Sequence, residues 1–280
     1  MKINEDTKLI ARFYNVPNGR GLNIYNPYLD ATGVNAVYLL FHNPDPKPLF
    51  NAMRELGIVG AIPAAFEKDP KMTNLVDKLE GAGADIKRVS FVKNTGTELV
   101  GYYAAGRGLM DAILEQDKIS GKNVVIMGAG TVVRGLLAEW RRKNVKPNSI
   151  FVYTRDKTRL DLLKKEYSEI TMGGDLMEME SSKGDIFINA TPVGSPWNKG
   201  DDYIWKDKWL QGFGLIVDVT FVPLAPPLIS SALRLGIKYV PGWKMFLYQG
   251  KYALETILDI KVDSAKLAEF LVDDFAKNWS

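Results

Sequence analysis

The chain has 280 residues, of which 46% are hydrophobic and 25% are charged, a composition typical of globular proteins with a sizeable core. Its formal net charge of +3 is too small to predict a nucleic-acid or anionic-membrane partner. It has no cysteine and one histidine, which excludes disulfides and zinc–thiolate centres and predicts no metal site. No apolar run approaches the ~18 residues of a membrane span, and residues 1–13 lack the apolar segment of a signal peptide, so we expect a cytoplasmic protein.

The first third of the chain alternates short apolar runs with helical patterns. Residues 35–41 form an apolar run that predicts a buried strand. The stretch PKPLFNAMREL, residues 46–56, begins with prolines and carries apolar residues at helical spacing, which predicts a helix. Residues 60–66 predict another strand, which Pro63 makes an edge strand or an interrupted one.

The next segment is predicted to form a helix, a hairpin and a second helix. Residues 72–85 predict a helix that ends at glycine. Residues 88–103 predict a hairpin, because Asn-Thr-Gly at 94–96 separates two apolar runs. Tyr102 and Tyr103 could line a ligand pocket or belong to the core of this hairpin. Residues 106–116 then predict a helix that leads into the middle of the chain.

The middle of the chain is more regular, with strands that alternate with helices. The predicted strands are residues 123–127, 149–154, 185–191, 215–220 and 238–242, and the predicted helices are residues 131–143, 156–167 and 227–236. This alternation predicts parallel βαβ units, whose right-handed connections place the strand-to-helix loops at the carboxyl edge of one sheet. Ligands bind at that edge. From residue 243 onward the pattern is helical.

These elements predict an α/β protein of two domains. Residues 1–104 are predicted to form an α/β substrate domain, and residues 105–245 a Rossmann-like dinucleotide-binding domain. The helices in residues 246–280 are predicted to return to the first domain and complete it.

The loop that follows the strand at 123–127 carries a Gly-x-Gly turn, Gly128-Ala129-Gly130, and then opens a helix. In such a turn the first glycine permits the tight bend and the second lets the backbone approach a pyrophosphate. The N–H groups at the start of the helix, including those of Thr131 and Val132, would face the phosphates. The usual third small residue is absent, because Val133 stands there. The context between strand and helix favours a dinucleotide site over a plain turn.

The end of the next strand favours NADP over NAD. NAD-binding proteins usually place a carboxylate there for the ribose hydroxyls. This chain instead has Thr154 and Arg155, with Arg159 four residues later, and a guanidinium can hold a 2′-phosphate through two hydrogen bonds. Asp156 opposes this interpretation, because its charge would repel a phosphate. Alternatively, both arginines are solvated residues at the start of a helix.

The densest basic run, RRKNVKPN at residues 141–148, is interpreted as the solvated end of a helix and the turn that follows it.

Three stretches of the second half resemble the shikimate dehydrogenase family. NATPVG at 189–194 resembles its Asn-Ala-Thr-x-x-Gly, DVTFVPLAPPLI at 218–229 resembles its Asp-Val-x-Tyr-x-Pro-Leu-x-Thr-Pro-Leu, and GWKMFLYQGKYALE at 242–255 resembles its Gly-x-x-Met-Leu-x-x-Gln-Gly-x-x-Ala-x-Glu. Together with the Gly-x-Gly loop they span most of residues 121–256 in order. The first third resembles the family more faintly.

The resemblance implies a fold, a reaction and a set of site residues. The fold would have two α/β domains with the active site in the cleft between them, and the reaction would pass hydride between NADP and a carbon that bears a hydroxyl. Lys68 matches the catalytic lysine, and Gln249 matches the glutamine that binds substrate. The positions matched to cofactor contacts are Asn189, Ala190, Thr191, Val219, Gly242 and Met245. Without the resemblance, Lys68 could be a surface lysine and Gln249 a core helix residue.

Other positions depart from the family pattern. The aspartate that partners the catalytic lysine is replaced by Ala105, and a substrate asparagine by Ser90. The Ser-x-Ser pair that holds the substrate carboxylate becomes Gly19 and Gly21, or Arg12 and Tyr14, depending on alignment. In the second case Arg12 could hold a carboxylate. The family tyrosine near Pro223 is Phe221.

This pattern keeps the cofactor half and changes the substrate half. We therefore expect an NADP-dependent oxidoreductase acting on a hydroxylated small molecule, which we expect to carry a carboxylate, with little or no activity on shikimate. A catalytically quiet NADP-binding protein and an authentic shikimate dehydrogenase are the alternatives. The expected partner is a small-molecule substrate, with neither nucleic acid nor membrane, and the protein is expected to be a monomer or a homodimer.

Overall fold

The computed structural model describes residues 3–14, 21–63, 70–196, 198 and 205–278. The chain divides into two compact units. The first unit comprises Met1–Ala104 and Gln249–Lys277, and the second comprises Ala105–Tyr248 and Asn278–Ser280. Within the described residues, none of the helices has the length and apolar character that crossing a membrane requires.

The described residues of the N-terminal part of the first unit form six strands and three α-helices. In chain order they are β1 (Lys8–Tyr14), α1 (Leu22–Ala31), β2 (Ala36–His42), α2 (Pro46–Glu55), β3 (Gly60–Ile62), β4 (Lys78–Leu79), α3 (Ala82–Ile86), β5 (Phe91–Asn94) and β6 (Leu99–Tyr102). The strands form one sheet in the order β2-β1-β3-β5-β6-β4. β5 is antiparallel to both β3 and β6, and the other pairs are parallel.

The prediction of a helix over residues 72–85 is wrong. The chain makes a 3-10 turn at Pro70–Asn74, pairs β4 with β6 and then forms the short α3. Asp77 holds this segment extended, because its carboxylate accepts the Leu99 N–H at 2.7 Å and forms an ion pair with Arg54 at 2.7 Å. The helical spacing of the apolar residues is therefore overridden by pairing at the edge of the sheet.

In the second unit, the residues that the structure describes form six strands that alternate with helices. In chain order they are α4 (Ala105–Leu114), β7 (Asn123–Met127), α5 (Thr131–Arg142), β8 (Ser149–Tyr153), α6 (Lys157–Glu166), β9 (Met172–Gly174), α7 (Leu176–Met179), β10 (Ile186–Asn189), α8 (Asp207–Leu210), β11 (Leu215–Asp218), α9 (Pro227–Leu235) and β12 (Lys238–Val240). Two helices follow, α10 (Gly242–Leu258) and α11 (Ser264–Asn278), of which α10 begins in the second unit and ends in the first.

The second sheet has the strand order of the doubly wound dinucleotide-binding fold. The order is β12-β11-β10-β7-β8-β9, and every pair is parallel. The order reverses between β7 and β10, so the connections that follow these two strands leave in opposite directions. A crevice at the carboxyl end of the sheet is expected at this point.

Two glycines let helices α4 and α5 approach each other closely. A Cβ atom on Gly106 would lie 2.1 Å from the carbonyl carbon of Gly135. On the same helix α5, the side chain of Val133 is fully buried in the core of the unit. Val133 therefore packs the helix on the core, although it is larger than the residue usual at that position.

The last two helices complete the core of the first unit. The N–H of Asp263 donates to the hydroxyl of Tyr28 at 3.0 Å, and the Asn23 amide donates to Asp274 at 3.0 Å. A Cβ atom on Gly60 in β3 would lie 2.4 Å from Cγ2 of Ile257 in α10. A larger side chain at residue 60 would therefore push the helix away from the sheet.

Candidate functional site

The Gly-x-Gly turn connects β7 to α5 as the sequence predicts. Gly128 has a φ of 112°, which side-chain-bearing residues rarely adopt. Its N–H donates to the carbonyl of Tyr153 in β8 at 2.7 Å. A Cβ atom at this position would lie 2.9 Å from the carbonyl oxygen of Ala190, in the loop after β10. The first glycine is therefore required both by its backbone conformation and by the contact between the two loops.

None of the described residues requires a glycine at position 130. Its backbone is extended, with a φ of −85°, and a Cβ atom there would have no described protein atom within 4 Å. It is the N-cap of α5 and provides no side chain to cap the helix. The space beside Gly130 and the N–H groups of Thr131 and Val132 thus fit a phosphate-bearing ligand at the helix N-terminus.

The two candidate arginines after β8, Arg155 and Arg159, have different surroundings. The Asp156 carboxylate caps α6, since it accepts the Arg159 N–H at 3.0 Å. The same carboxylate pairs with the Arg159 guanidinium, with 3.0 Å between Nε and Oδ2. Thr154 accepts the Asp156 N–H through Oγ1 at 3.2 Å. Asp156 therefore pairs with Arg159, and Arg155, the residue before Asp156, is exposed.

The loops after β10 and β11 are linked by a buried network. Nδ2 of Asn189 donates to the carbonyl of Val193 at 3.1 Å and to Oδ1 of Asp218 at 3.0 Å. Its Oδ1 accepts the N–H of Thr191 at 3.1 Å and the Thr191 hydroxyl at 2.6 Å. Asn189 thus holds in place the loop that contacts Gly128. These bonds give it a structural role at a position that the sequence predicts to border the cofactor.

Asp218 is a functional candidate that the sequence analysis did not single out. It is 1% exposed, and burial raises its pKa to about 7 although Thr220 and Asn189 donate hydrogen bonds to it. Its Oδ2 has no hydrogen-bond partner among the described residues. The signal was an acidic residue directly after the apolar run Leu215–Val217, because a carboxyl group that such a run draws into the interior must be paired or protonated.

Helix α10 begins against the end of β11. A Cβ atom on Gly242 would lie 2.4 Å from the carbonyl oxygen of Thr220 and 2.6 Å from that of Val219. Glycine is therefore needed where the helix meets this loop. Met245, one turn later, is 7% exposed and packs in the core of the second unit. Gln249 lies a further turn along α10 and is half-buried.

The candidate substrate-binding residues Arg12, Tyr14 and Ser90 contact other residues of the first unit. Arg12 is 6% exposed and lies beside Tyr38. Burial raises the pKa of Tyr38 to about 12, and the Arg12 guanidinium opposes that shift. Tyr14 lies with its ring centroid 5.2 Å from that of His42. The Ser90 hydroxyl accepts the Ala104 N–H at 2.8 Å. A substrate would therefore have to use the hydrogen-bonding capacity of this hydroxyl that the bond to Ala104 leaves over.

The tyrosines of the predicted hairpin differ in their surroundings. Tyr102 stacks on Phe91 across the hairpin, with ring centroids 5.0 Å apart and an angle of 9° between the planes. Its hydroxyl donates to Glu80 at 2.9 Å. Tyr103 is 5% exposed. Tyr103 is therefore buried in the core, as one of the two interpretations expected, whereas Tyr102 is half-buried.

The predicted catalytic lysine is Lys68, and Ala105 stands at the position of its acidic partner. Lys68, together with Gly19 of the alternative Ser-x-Ser alignment, lies outside the described residues. Ala105 is 8% exposed and begins helix α4. Its methyl group cannot accept a hydrogen bond from a lysine, so the acid that would orient Lys68 is absent at this position.

Comparisons with known proteins were made for the whole chain. No family model matches it. A shikimate dehydrogenase (NADP(+)) of Methanococcus vannielii is 27% identical over 265 residues, covering 89% of this chain and 90% of the relative. A second one, of Methanocaldococcus jannaschii, is 26% identical and covers 98% of this chain and all of the relative. The chain is thus similar to shikimate dehydrogenases over nearly its whole length.

Solved structures agree on the fold. A shikimate 5-dehydrogenase-like protein aligns with a TM-score of 0.85 at 21% identity, covering 99% of this chain and 100% of the other. These matches confirm the predicted α/β fold and agree with the predicted resemblance to shikimate dehydrogenases. Within the shikimate dehydrogenase pattern, this chain keeps the turn at Gly128 and the motif at Asn189 but has Ala105 in place of the acid.

Proposed function

We propose that this protein is an NADP-dependent oxidoreductase that acts on a small hydroxylated acid other than shikimate. The observation that carries the proposal is the open space at Gly130, at the uncapped start of α5 and beside the point where the strand order reverses. A dinucleotide phosphate fits there because backbone N–H groups and the helix dipole favour an anion. The predictions of an oxidoreductase and of NADP agree with the names of the curated relatives.

Residues of the second unit are proposed to hold the dinucleotide. The N–H groups of Thr131 and Val132 would bind the pyrophosphate, and Arg155 the 2′-phosphate. The loop at Asn189–Thr191 would border the same crevice, since it contacts Gly128. By resemblance, Val219 and the first turn of α10 would lie near the nicotinamide. When bound, NADP supplies the hydride acceptor for a carbon that bears a hydroxyl group.

The protein's own part in the reaction is to move one proton. Lys68 is proposed to take the proton of the substrate hydroxyl, as its resemblance to the catalytic lysine implies. A lysine does this efficiently when burial lowers its pKa towards the working pH and a neighbour fixes its position. Because Ala105 replaces the acid that would fix it, Lys68 must be oriented by the substrate or by other groups.

The substrate is proposed to be an acid held by Arg12 and Gln249. Arg12 is buried, and a guanidinium in a region of low dielectric attracts a carboxylate more strongly than one in water does. Shikimate itself is disfavoured, because Ala105, Ser90 and Phe221 remove hydrogen-bonding groups that match it in the family.

The second candidate function is a catalytically quiet NADP-binding protein. Ala105 favours it, because a general base that is not positioned loses much of its roughly 10²–10⁴-fold contribution to the rate. The dinucleotide loop would be kept in that case as the binding part of a sensor.

The proposal is tested by calorimetric titration with NADP and NAD, followed by assays of NADPH formation with shikimate and with a panel of other hydroxy acids. We expect NADP to bind more tightly than NAD and at least one acid to be oxidised, with shikimate poor. Failure to bind NADP would overturn the proposal. Binding without any turnover would establish the second candidate. A kcat for shikimate of about 1–10³ s⁻¹ would make the protein an ordinary shikimate dehydrogenase.

A further inference from the structure

The basic run at residues 141–148 ends helix α5 and then turns back beside it. Helix α5 stops at Arg142, and Asn144 follows with a φ of 54°, the left-handed conformation that terminates helices. The N–H of Val145 then donates back to the carbonyl of Trp140 at 2.8 Å. This turn folds Val145 and the residues after it back beside Trp140, on the way to strand β8.

A cavity of about 350 Å³ lies at this turn, and we call it the Trp140 pocket. It is lined by the last turn of α5, the connection to β8 and the segment after α6: Leu137, Trp140, Arg141, Asn144, Val145, Lys146, Pro147, Ile150, Tyr167 and Glu169. Its volume is within the range of pockets that hold small organic molecules.

The floor of the Trp140 pocket is apolar and aromatic. Leu137, Ile150, Trp140 and Tyr167 are each at most 3% exposed, so they are fixed by packing in the core of the second unit. Tyr167 is also held by its hydroxyl, which donates to the carbonyl of Arg134 at 3.0 Å. A rigid floor with two aromatic side chains suits a flat, apolar ligand, which loses little freedom on binding.

The rim of the pocket carries a net positive charge. Arg141 lies over the ring of Tyr167, 4.7 Å from its centroid, and pairs with Glu169 at 2.7 Å. This pair is neutral as a unit. Lys146 adds an exposed positive charge at the rim. The charge favours an anion at the mouth of the pocket.

We propose that the Trp140 pocket binds a small planar aromatic molecule that carries one carboxylate. The ring would lie on the apolar floor, and the carboxylate would remain at the rim beside Lys146. This site is distinct from the dinucleotide crevice, since the two lie at opposite ends of α5. A helix of 12 residues is about 18 Å long, so the two ligands would bind without contact. The proposal does not depend on the proposed function.

The test uses 2-naphthoate as the probe and the full-length protein with NADP at a saturating concentration. Protein labelled with ¹⁵N in its six tryptophans gives one indole N–H signal for each, and Trp140→Phe identifies the signal of Trp140. If that variant does not fold, through-space contacts to Val145 identify the signal. We expect 2-naphthoate to shift the Trp140 signal in a saturable manner. The signal of Trp209, whose N–H donates to Ser182 at 3.2 Å, should not move.

Matched variants test the role of charge. Lys146→Gln should weaken 2-naphthoate binding about two- to fivefold, the effect of one exposed ion pair, and Lys143→Gln, which does not line the pocket, should leave it unchanged. Uncharged 2-naphthol should bind equally to all three proteins. The proposal is overturned if the Trp140 signal does not move, if all tryptophan signals move alike, if NADP displaces the probe, or if the two lysine variants behave identically.

Discussion

Asn189 and Asp218 end neighbouring strands and are joined by a hydrogen bond of 3.0 Å between Nδ2 and Oδ1. The same carboxylate oxygen accepts the N–H of Thr220 at 2.9 Å. One buried carboxyl group therefore ties the loop after β10 to the loop after β11. Both loops carry residues that the family resemblance assigns to the cofactor, so the protonation state of Asp218 bears on the shape of the candidate site.

Asp218 should make the stability of the protein depend on pH. Burial raises the pKa of its carboxyl from 3.8 to about 7, so between these values the folded state keeps a proton that the unfolded state releases. The free energy of unfolding contributed by this group is therefore greatest below about pH 4, falls as the pH rises and levels off above about pH 7. The full change is on the order of 4 kcal/mol.

We expect Asp218→Asn to remove this part of the pH dependence, because the amide does not titrate. Urea unfolding of both proteins at several pH values from 4 to 8 measures it. Asp161→Asn, at an exposed position of α6, is the control and should follow the wild-type curve. The same slope in Asp218→Asn and the wild type would mean that the carboxyl is not buried in its protonated form.

Gly130→Ala should separate cofactor binding from folding. The added Cβ meets no described protein atom, so stability should fall by no more than about 1 kcal/mol, the cost of a poorer N-cap. The same atom would occupy the approach of the pyrophosphate, and crowding of about 1–3 kcal/mol corresponds to a roughly 5- to 150-fold loss of NADP affinity.

Gly128→Ala is the contrasting variant. Its Cβ would lie 2.9 Å from the carbonyl oxygen of Ala190 and its φ is positive, so we expect a loss of stability of about 1–3 kcal/mol. Thermal unfolding and NADP titration of both variants check the pair. A Gly130→Ala protein with wild-type NADP affinity would argue against a pyrophosphate at this turn.

Arg155→Ala should weaken NADP binding more than Arg159→Ala does. A charge-assisted bond to the 2′-phosphate is worth about 1.5–3 kcal/mol, or roughly 10- to 150-fold in affinity. Arg159 is already paired with Asp156, so its removal should cost less. Titrations with NADP and NAD measure both effects. NAD binding should be unchanged in either variant, and equal or tighter binding of NAD by the wild type would contradict the choice of cofactor.

Lys68→Ala should abolish turnover of the best substrate found in the acid panel and leave NADP affinity intact. The loss expected for removal of a general acid–base group is about 10²–10⁴-fold in kcat. Lys71→Ala, three residues later and exposed, is the matched control and should keep both properties. If the two variants turn over substrate at the same rate, the lysine of the reaction lies elsewhere.

Local sequence determined most of the second unit. Each strand, turn and helix there is a contiguous segment, so apolar runs and Gly128-Ala129-Gly130 were sufficient to predict β7, α5 and β8 close to their observed ends. The conformational role of Gly128 could also be predicted, because glycine adopts a positive φ without a side-chain clash. The antiparallel hairpin of β5 and β6 was predicted for the same reason, since its turn is encoded by three adjacent residues.

Tertiary structure decided what depends on distant partners. Residues 72–85 have helical spacing, yet β4 forms because β6 offers a free edge and Asp77 bonds to Leu99. Helix α1 was not predicted from the sequence. It contains Pro27, and a proline inside a segment argues against a helix. The raised pKa of Asp218 and the pairing of Arg159 likewise could not be predicted from spacing. Burial and hydrogen bonding depend on which atoms the fold brings within a few ångströms, and local sequence does not specify those atoms.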